Sequence, residues 1–163
     1  MRVLQVNLHR SRSASAALSV AMKNCDVALI QEPWIYKWAI RGLRKVGELF
    51  FSSSTQNPRA CSLIKKGFQI LPLTHHCSRD LTAVKIKTSS GRGPREIILG
   101  SAYLPYNYVE LIPPGELDRL VVGCRAEGTH LIIGCDANSY HISWESTNIS
   151  NRGEPLFNYI MAN

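Results

Sequence analysis

Residues 131–144 read LIIGCDANSYHISW, an apolar run that stops in an acid, an amide, a histidine and a tryptophan. A buried strand ending in polar groups presents them at the rim of a sheet, where they can hold a metal ion or a phosphate. The same design recurs. Val3–Leu8 is a short β-type run carrying Asn7, and Asp26–Glu32 is a nearly continuous apolar strand that ends in Glu32 and is stopped by Pro33. Glu96–Leu104 ends in Tyr103-Leu104-Pro105-Tyr106. Four strands therefore carry Asn7, Glu32, Tyr103 and the pair Asp136 and Asn138 at their far ends.

Between these strands the period changes to that of helices. Ser11 and Ser13, as caps, precede Ala14, Ala17, Leu18, Ala21 and Met22 at helical spacing. Pro113-Pro114-Gly115 introduces a second helix whose stripe of Leu117, Leu120, Val121 and Cys124 must cover a sheet, with Gly128 closing it. A last helix spans Glu154–Met161. In the middle, Cys61–Ile64, Phe68–Leu71 and Leu81–Lys87 read as antiparallel neighbours, and Ser89–Arg95 as a basic hairpin-like loop. This mixture predicts one α/β layered domain over residues 1–163, with a mixed or antiparallel sheet rather than a doubly wound parallel one. Gly91-Arg92-Gly93 is no nucleotide fingerprint, because no helix follows it.

A hydrophobic content of 45% suffices for a real core. Lys and Arg number 19 against 12 Asp and Glu, a net charge of +7, which favours a polyanionic partner, either nucleic acid or an anionic membrane. No apolar run approaches the ~20 residues of a spanning helix. The run after Met1 is also too short for a signal peptide, so the expected setting is nuclear or cytoplasmic. Cys25, Cys61, Cys77, Cys124 and Cys135 are odd in number and never form C-x-x-C, so they read as reduced, mostly core thiols. His75-His76-Cys77 reads as a loop or strand end, since adjacent residues on a strand point opposite ways.

If the strand ends line one edge, their chemistry suits phosphodiester hydrolysis. A glutamate beside an amide suits Mg²⁺, which takes one or two protein carboxylates and keeps its other positions for water and phosphate oxygens. Such an ion polarises the phosphoryl group. Asp136 can then orient or deprotonate the attacking water, while Asn138 and Tyr103 donate hydrogen bonds to transition-state oxygens. Asp-x-Asn places both side chains on one face if the segment stays extended. Each residue alone also has a plain reading: Asn7 a turn amide, Glu32 a surface acid, Asp136 and Asn138 an Asx turn or cap, Tyr103 a strand aromatic. Their coincidence favours a site.

LQVNLHRS, ALIQEPW, GSAYLPY and GCDANSYHISW stand in the motif order of the endonuclease/exonuclease/phosphatase superfamily. With STNISNRGEPLFNYI, the chain resembles the endonuclease domain of non-long-terminal-repeat retrotransposon polyproteins from Arg2 to its last residue. The resemblance implies a DNase I-like four-layer α/β sandwich, two mostly antiparallel sheets between helices, with the site at the sheet edge. It implies that Asn7 assists metal and water, Glu32 binds Mg²⁺ (or Mn²⁺), Tyr103 contacts phosphate, Asp136 activates water and Asn138 holds the transition-state oxygens. Double-stranded DNA would be nicked, with no membrane involved, and the freed 3′-hydroxyl would prime the reverse transcriptase domain of the same polyprotein. Arg10, Arg12, Lys37, Arg41, Arg44 and Lys45 either contact phosphates, which position a duplex without reading it, or form a solvated face. His141 and Trp144 either touch the substrate or pack their loop.

Two departures accompany the resemblance. Glu145 stands where relatives often carry glycine. The Ser-Asp-His-type motif that closes such domains does not occur in residues 1–163, nor does the family's further aspartate near the metal. The resemblance therefore implies a domain incomplete at its C-terminus, lacking the last strands. Two alternatives remain: a catalytically dead DNA-binding remnant, or a phosphoesterase of the same superfamily acting on a non-nucleic-acid substrate such as a lipid headgroup. Against the lipid stands the expected lack of an exposed hydrophobic loop.

Overall fold

The strands in chain order are β1 (Val3–Asn7), β2 (Val27–Gln31), β3 (Ile35–Tyr36), β4 (Ala39–Ile40), β5 (Glu48–Phe50), β6 (Ala60–Ile64), β7 (Gln69–Pro72), β8 (Leu81–Ser90), β9 (Gly93–Tyr103) and β10 (His130–Asp136). The helices are α1 (Arg12–Ala21), α2 (Gly115–Ala126) and α3 (Gly153–Ala162). The computed structural model describes residues 1–90, 93–106 and 112–163. One open sheet has the order β1-β2-β6-β5, a second β10-β9-β8-β7, and β3-β4 is a separate hairpin.

Strand alternation explains how these pieces stack. In β2, Ala28 and Ile30 face α1 and join Leu18, Met22, Cys61 and Leu63. Val27 and Leu29 face the other way and meet Val84, Ile86 and Leu99 of the second sheet. On the far side of that sheet, Ala83, Ile98 and Ala102 pack under Leu117, Leu120 and Cys124 of α2. Three apolar interfaces thus separate helix, sheet, sheet and helix, and every strand residue of β2 is buried. This is the expected four-layer α/β sandwich.

Each sheet contains one parallel pair, β1 with β2 and β9 with β10, and is otherwise antiparallel. Parallel pairing brings carboxyl ends together, and the registers set Asn7 opposite Gln31 and Asp136 opposite Tyr103. The middle of the chain departs from expectation. Cys61–Ile64 pairs with β2 and β5 in the first sheet, whereas β7 and β8 belong to the second. Inter-sheet burial, not sequence adjacency, decides that partition. Ser89, Ser90 and Gly93–Arg95 are paired strand residues rather than loop, and Gly91 and Arg92 lie outside the described residues.

Ser11, not Ser13, caps α1, its Oγ accepting from Ala14 N at 3.2 Å. Ala17 and Ala21 are exposed, so the buried stripe of α1 is narrower than the spacing predicted. All five cysteines are free, though Cys25, Cys77 and Cys135 are only half-buried. Among the described residues no helix is long and apolar enough to cross a membrane.

Candidate active site

The two parallel pairs end on the same edge, and there Asn7, Glu32, Tyr103, Asp136 and Asn138 meet. Asn7 Nδ2 donates to Asp136 Oδ2 at 2.5 Å and to Glu32 Oε2 at 3.3 Å, so one amide joins two carboxylates from different sheets. Asn7 Oδ1 is occupied by His9 N–H at 2.7 Å. Asn7 Oδ1 thus accepts one backbone N–H and keeps a second lone pair that a metal could use, while its NH₂ orients the carboxylates. Glu32 is also faced by Arg10 Nε at 3.6 Å and His9 Nδ1 at 3.8 Å.

Asp136 is pinned at both oxygens, Oδ1 accepting from Asn138 N at 3.3 Å. That contact is an Asx turn. Asn138 has φ +46, so the segment does not stay extended, yet Asp136 and Asn138 line the same cleft. A different bond fixes Asn138: its Nδ2 donates to Leu104 O at 2.9 Å, and its side chain also neighbours the Tyr103 phenol. His9, Arg10, Glu32 and Asn138 all have positive φ, a clustering of strain common at functional sites. Burial pushes the Tyr103 phenol above its ordinary range, and the Glu32 carboxylate raises it further, so Tyr103 acts as a hydrogen-bond donor at neutral pH.

Several residues essential to this geometry carried no legible signal. Gln31 lies fully buried between the sheets, donating to Ser101 Oγ at 3.0 Å and Gly134 O at 2.9 Å and accepting from Gln5 Nε2 at 2.6 Å. Ser101 Oγ donates on to Ile30 O at 2.9 Å. This polar layer locks the sheets together one residue before Glu32. Arg59 binds Asp80 with two N–H groups and lays its guanidinium 5.0 Å from the Tyr103 ring centroid. The NRG of the last motif has a similar role: Arg152 Nη1 reaches Pro105 O at 2.5 Å and Tyr106 O at 2.7 Å. A Cβ on Gly153 would lie 1.9 Å from Tyr140 O.

His141 is buried, caps a turn through Ser143 N at 3.1 Å, approaches Glu154 Oε2 at 3.3 Å and stacks on Phe157 at 4.4 Å. Of its two expected roles, the structure displays packing. Trp144 Nε1 donates to Ser139 O at 3.0 Å, and Trp144 lines a cleft of about 850 Å³ that has Asn7, His9, Asp136 and Asn138 at its polar end. Arg10, Arg12, Lys37, Arg41, Arg44 and Lys45 are exposed on the α1 side. The expected lack of an exposed hydrophobic loop is not met: Tyr36, Trp38, Tyr140 and Ile142 are all exposed.

Solved structures share this fold. The endonuclease domain of TRAS1, a telomere-specific non-LTR retrotransposon, matches with a TM-score of 0.75 and 25% identity over 99% of this chain and 69% of that one. The chain has the endonuclease/exonuclease/phosphatase fold. TDP2 from C. elegans matches at a TM-score of 0.55 and 16% identity, over 91% of this chain and 50% of that one. An endonuclease/exonuclease/phosphatase family protein from Leptotrichia buccalis C-1013-b matches at 0.52 and 15%, over 99% and 72%. No family profile and no curated protein matches by sequence. The resemblance is consistent with a hydrolase, and the likeness to a retrotransposon endonuclease supports a nuclease of this superfamily.

The donor set suits a hard divalent cation. Glu32 and Asp136 bring carboxylate oxygens to within reach of one amide nitrogen, and Mg²⁺ asks for one or two such groups. Among the described residues no group of three or more His, Cys, Asp or Glu is placed to hold a metal ion, so at this site water and phosphate oxygens would have to complete the shell.

Proposed function

We propose that this site is that of a Mg²⁺-dependent DNA endonuclease, the nicking domain of a non-long-terminal-repeat retrotransposon. The observation that carries the reading is the bridge from Asn7 to both Glu32 and Asp136. Glu32 would hold the ion, with Mn²⁺ as an alternative, and the ion would supply charge stabilisation at the phosphate. Asp136, fixed at both oxygens, takes a proton from the attacking water. Tyr103 and the Asn138 side-chain amide donate to the phosphate oxygens as negative charge grows there. Water adds to phosphorus, the bond to the 3′ oxygen breaks, and that oxygen leaves as a hydroxyl with a proton from solvent.

Among the described residues β1 and β10 are edge strands that lie against each other, and the chain spans 69% of the TRAS1 domain. In this reading further strands extend both sheets there and contribute the Ser-Asp-His-type motif that residues 1–163 lack. The product 3′-hydroxyl then primes a reverse transcriptase domain of the same polyprotein, with double-stranded DNA as the target in a nuclear or cytoplasmic setting.

Product ends test the reading. Cleavage of a labelled duplex with Mg²⁺ should leave ends that a DNA polymerase extends without prior phosphatase treatment. Ends that need a phosphatase before extension contradict it.

A further inference from the structure

The β3–β4 hairpin belongs to neither main sheet, yet its base is firmly held. Ile40 and Leu43 are buried, Arg41 N donates to Trp34 O at 3.0 Å, and Ser19 Oγ donates to Gly42 O at 3.1 Å. Arg12 of α1 lies 5.6 Å over the Trp34 ring. Pro33 alone separates Trp34 from Glu32, so the hairpin is rooted at the candidate metal ligand.

Its tip looks costly for a purely structural turn. Lys37 and Trp38 have φ +50 and +62, the pair of left-handed positions that hairpin turns usually fill with Asn or Gly. Trp38 is 71% exposed and Tyr36 55%, with the Lys37 ammonium 5.6 Å from the Tyr36 ring centroid. The surroundings are strongly cationic. Residues 1–47 carry eight Lys and Arg against two acids, Asp26 and Glu32, and so hold most of the chain's +7. No acid occurs between Glu32 and Glu48.

A rigid base, two exposed aromatics and flanking cations beside a phosphate-cleaving edge suit a stacked polyanion. We propose that this hairpin is a base-contacting element: Lys37 and Arg41 meet phosphates while Trp38, backed by Tyr36, wedges into the base stack of duplex DNA next to the scissile phosphate. Side-chain wedges of this kind unstack a base step and bend the duplex. The inference rests on the DNA-cleaving reading above and adds to it the residues that touch bases.

The test is binding of the 163-residue chain to a short duplex carrying 2-aminopurine, with chelator present so that no cleavage intervenes. Trp38→Ala should weaken binding about 5- to 100-fold and abolish the 2-aminopurine signal, as expected for a lost stacking contact. It should leave the salt dependence unchanged, and Trp38→Phe should restore most of the affinity. Lys37→Ala should instead lower the slope of log K against log salt by about 0.9. Wild-type affinity and signal in Trp38→Ala overturn the hairpin proposal and leave the endonuclease reading standing. So does an equal loss on single-stranded DNA, or a loss confined to anionic phosphatidylserine vesicles. Failure of the wild-type chain to bind duplex DNA at all overturns both.

Discussion

Asn7 and Asp136, 129 residues apart in the chain, are joined by a 2.5 Å hydrogen bond across two sheets. That bond exists because each sheet contributes a parallel pair whose carboxyl ends reach the same rim. Asn7→Ala should therefore remove the common donor that holds Glu32 and Asp136 in place. Cleavage should fall about 100-fold, the scale seen when one preorganised donor is lost. The Mg²⁺ needed for half-maximal rate should also rise, while urea unfolding changes little. Unchanged metal dependence would separate Asn7 from the carboxylates.

The sheets approach closely at Gly134, where an added Cβ would lie 2.8 Å from both Gln5 Cγ and Leu29 Cβ. Gly134→Ala should force them apart beneath the Gln31 layer. The expected cost is about 1–3 kcal/mol, typical of overpacking, read as a lower urea midpoint together with reduced activity. Wild-type stability would show that the sheets have slack there.

How much of this was legible before the fold was known follows from the physics of each signal. Burial period reveals β1, β2, β9, β10 and the covering helices, because apolar alternation and helical spacing are written residue by residue. The polar ends Asn7, Glu32, Tyr103, Asp136 and Asn138 stood out against those apolar runs. Gln31, Arg59 and Asp80 did not, since a buried amide or ion pair is recognisable only once its distant partner is known. The assignment of β6 to the first sheet and the two-residue strands β3 and β4 depend on tertiary contacts that leave no period in the sequence.

Glu145 gives a contrasting case. Where the resemblance implies glycine, Glu145 has φ +63, in the left-handed region. Glu145→Gly should relieve left-handed strain and stabilise the fold by about 0.5–1 kcal/mol after the added flexibility of the unfolded chain is counted. A small rise in melting temperature checks this. A fall would mean that the Glu145 side chain holds the turn.

Buried thiols set an alkaline limit. Burial, reinforced by the Asp136 carboxylate, pushes the Cys135 thiol up to about 12, and burial pushes Cys61 higher still. The folded chain thus keeps protons that the unfolded chain releases from about 9.0 upward. Their contribution to stability is complete below that value and is lost as pH rises toward the folded values. The melting temperature should decline steadily above about pH 9, and Cys135→Ala should flatten the decline. A profile equally steep in the variant would point to other groups.

The central claim is a metal-dependent phosphodiester site built from Glu32 and Asp136. Nicking of supercoiled plasmid by the 163-residue chain, with Mg²⁺ and with chelator, tests it most directly when run beside Glu32→Gln and Asp136→Ala. Nicking should require the metal and should fall at least about 100-fold in either variant. Nicking by either folded variant at the wild-type rate would contradict the account.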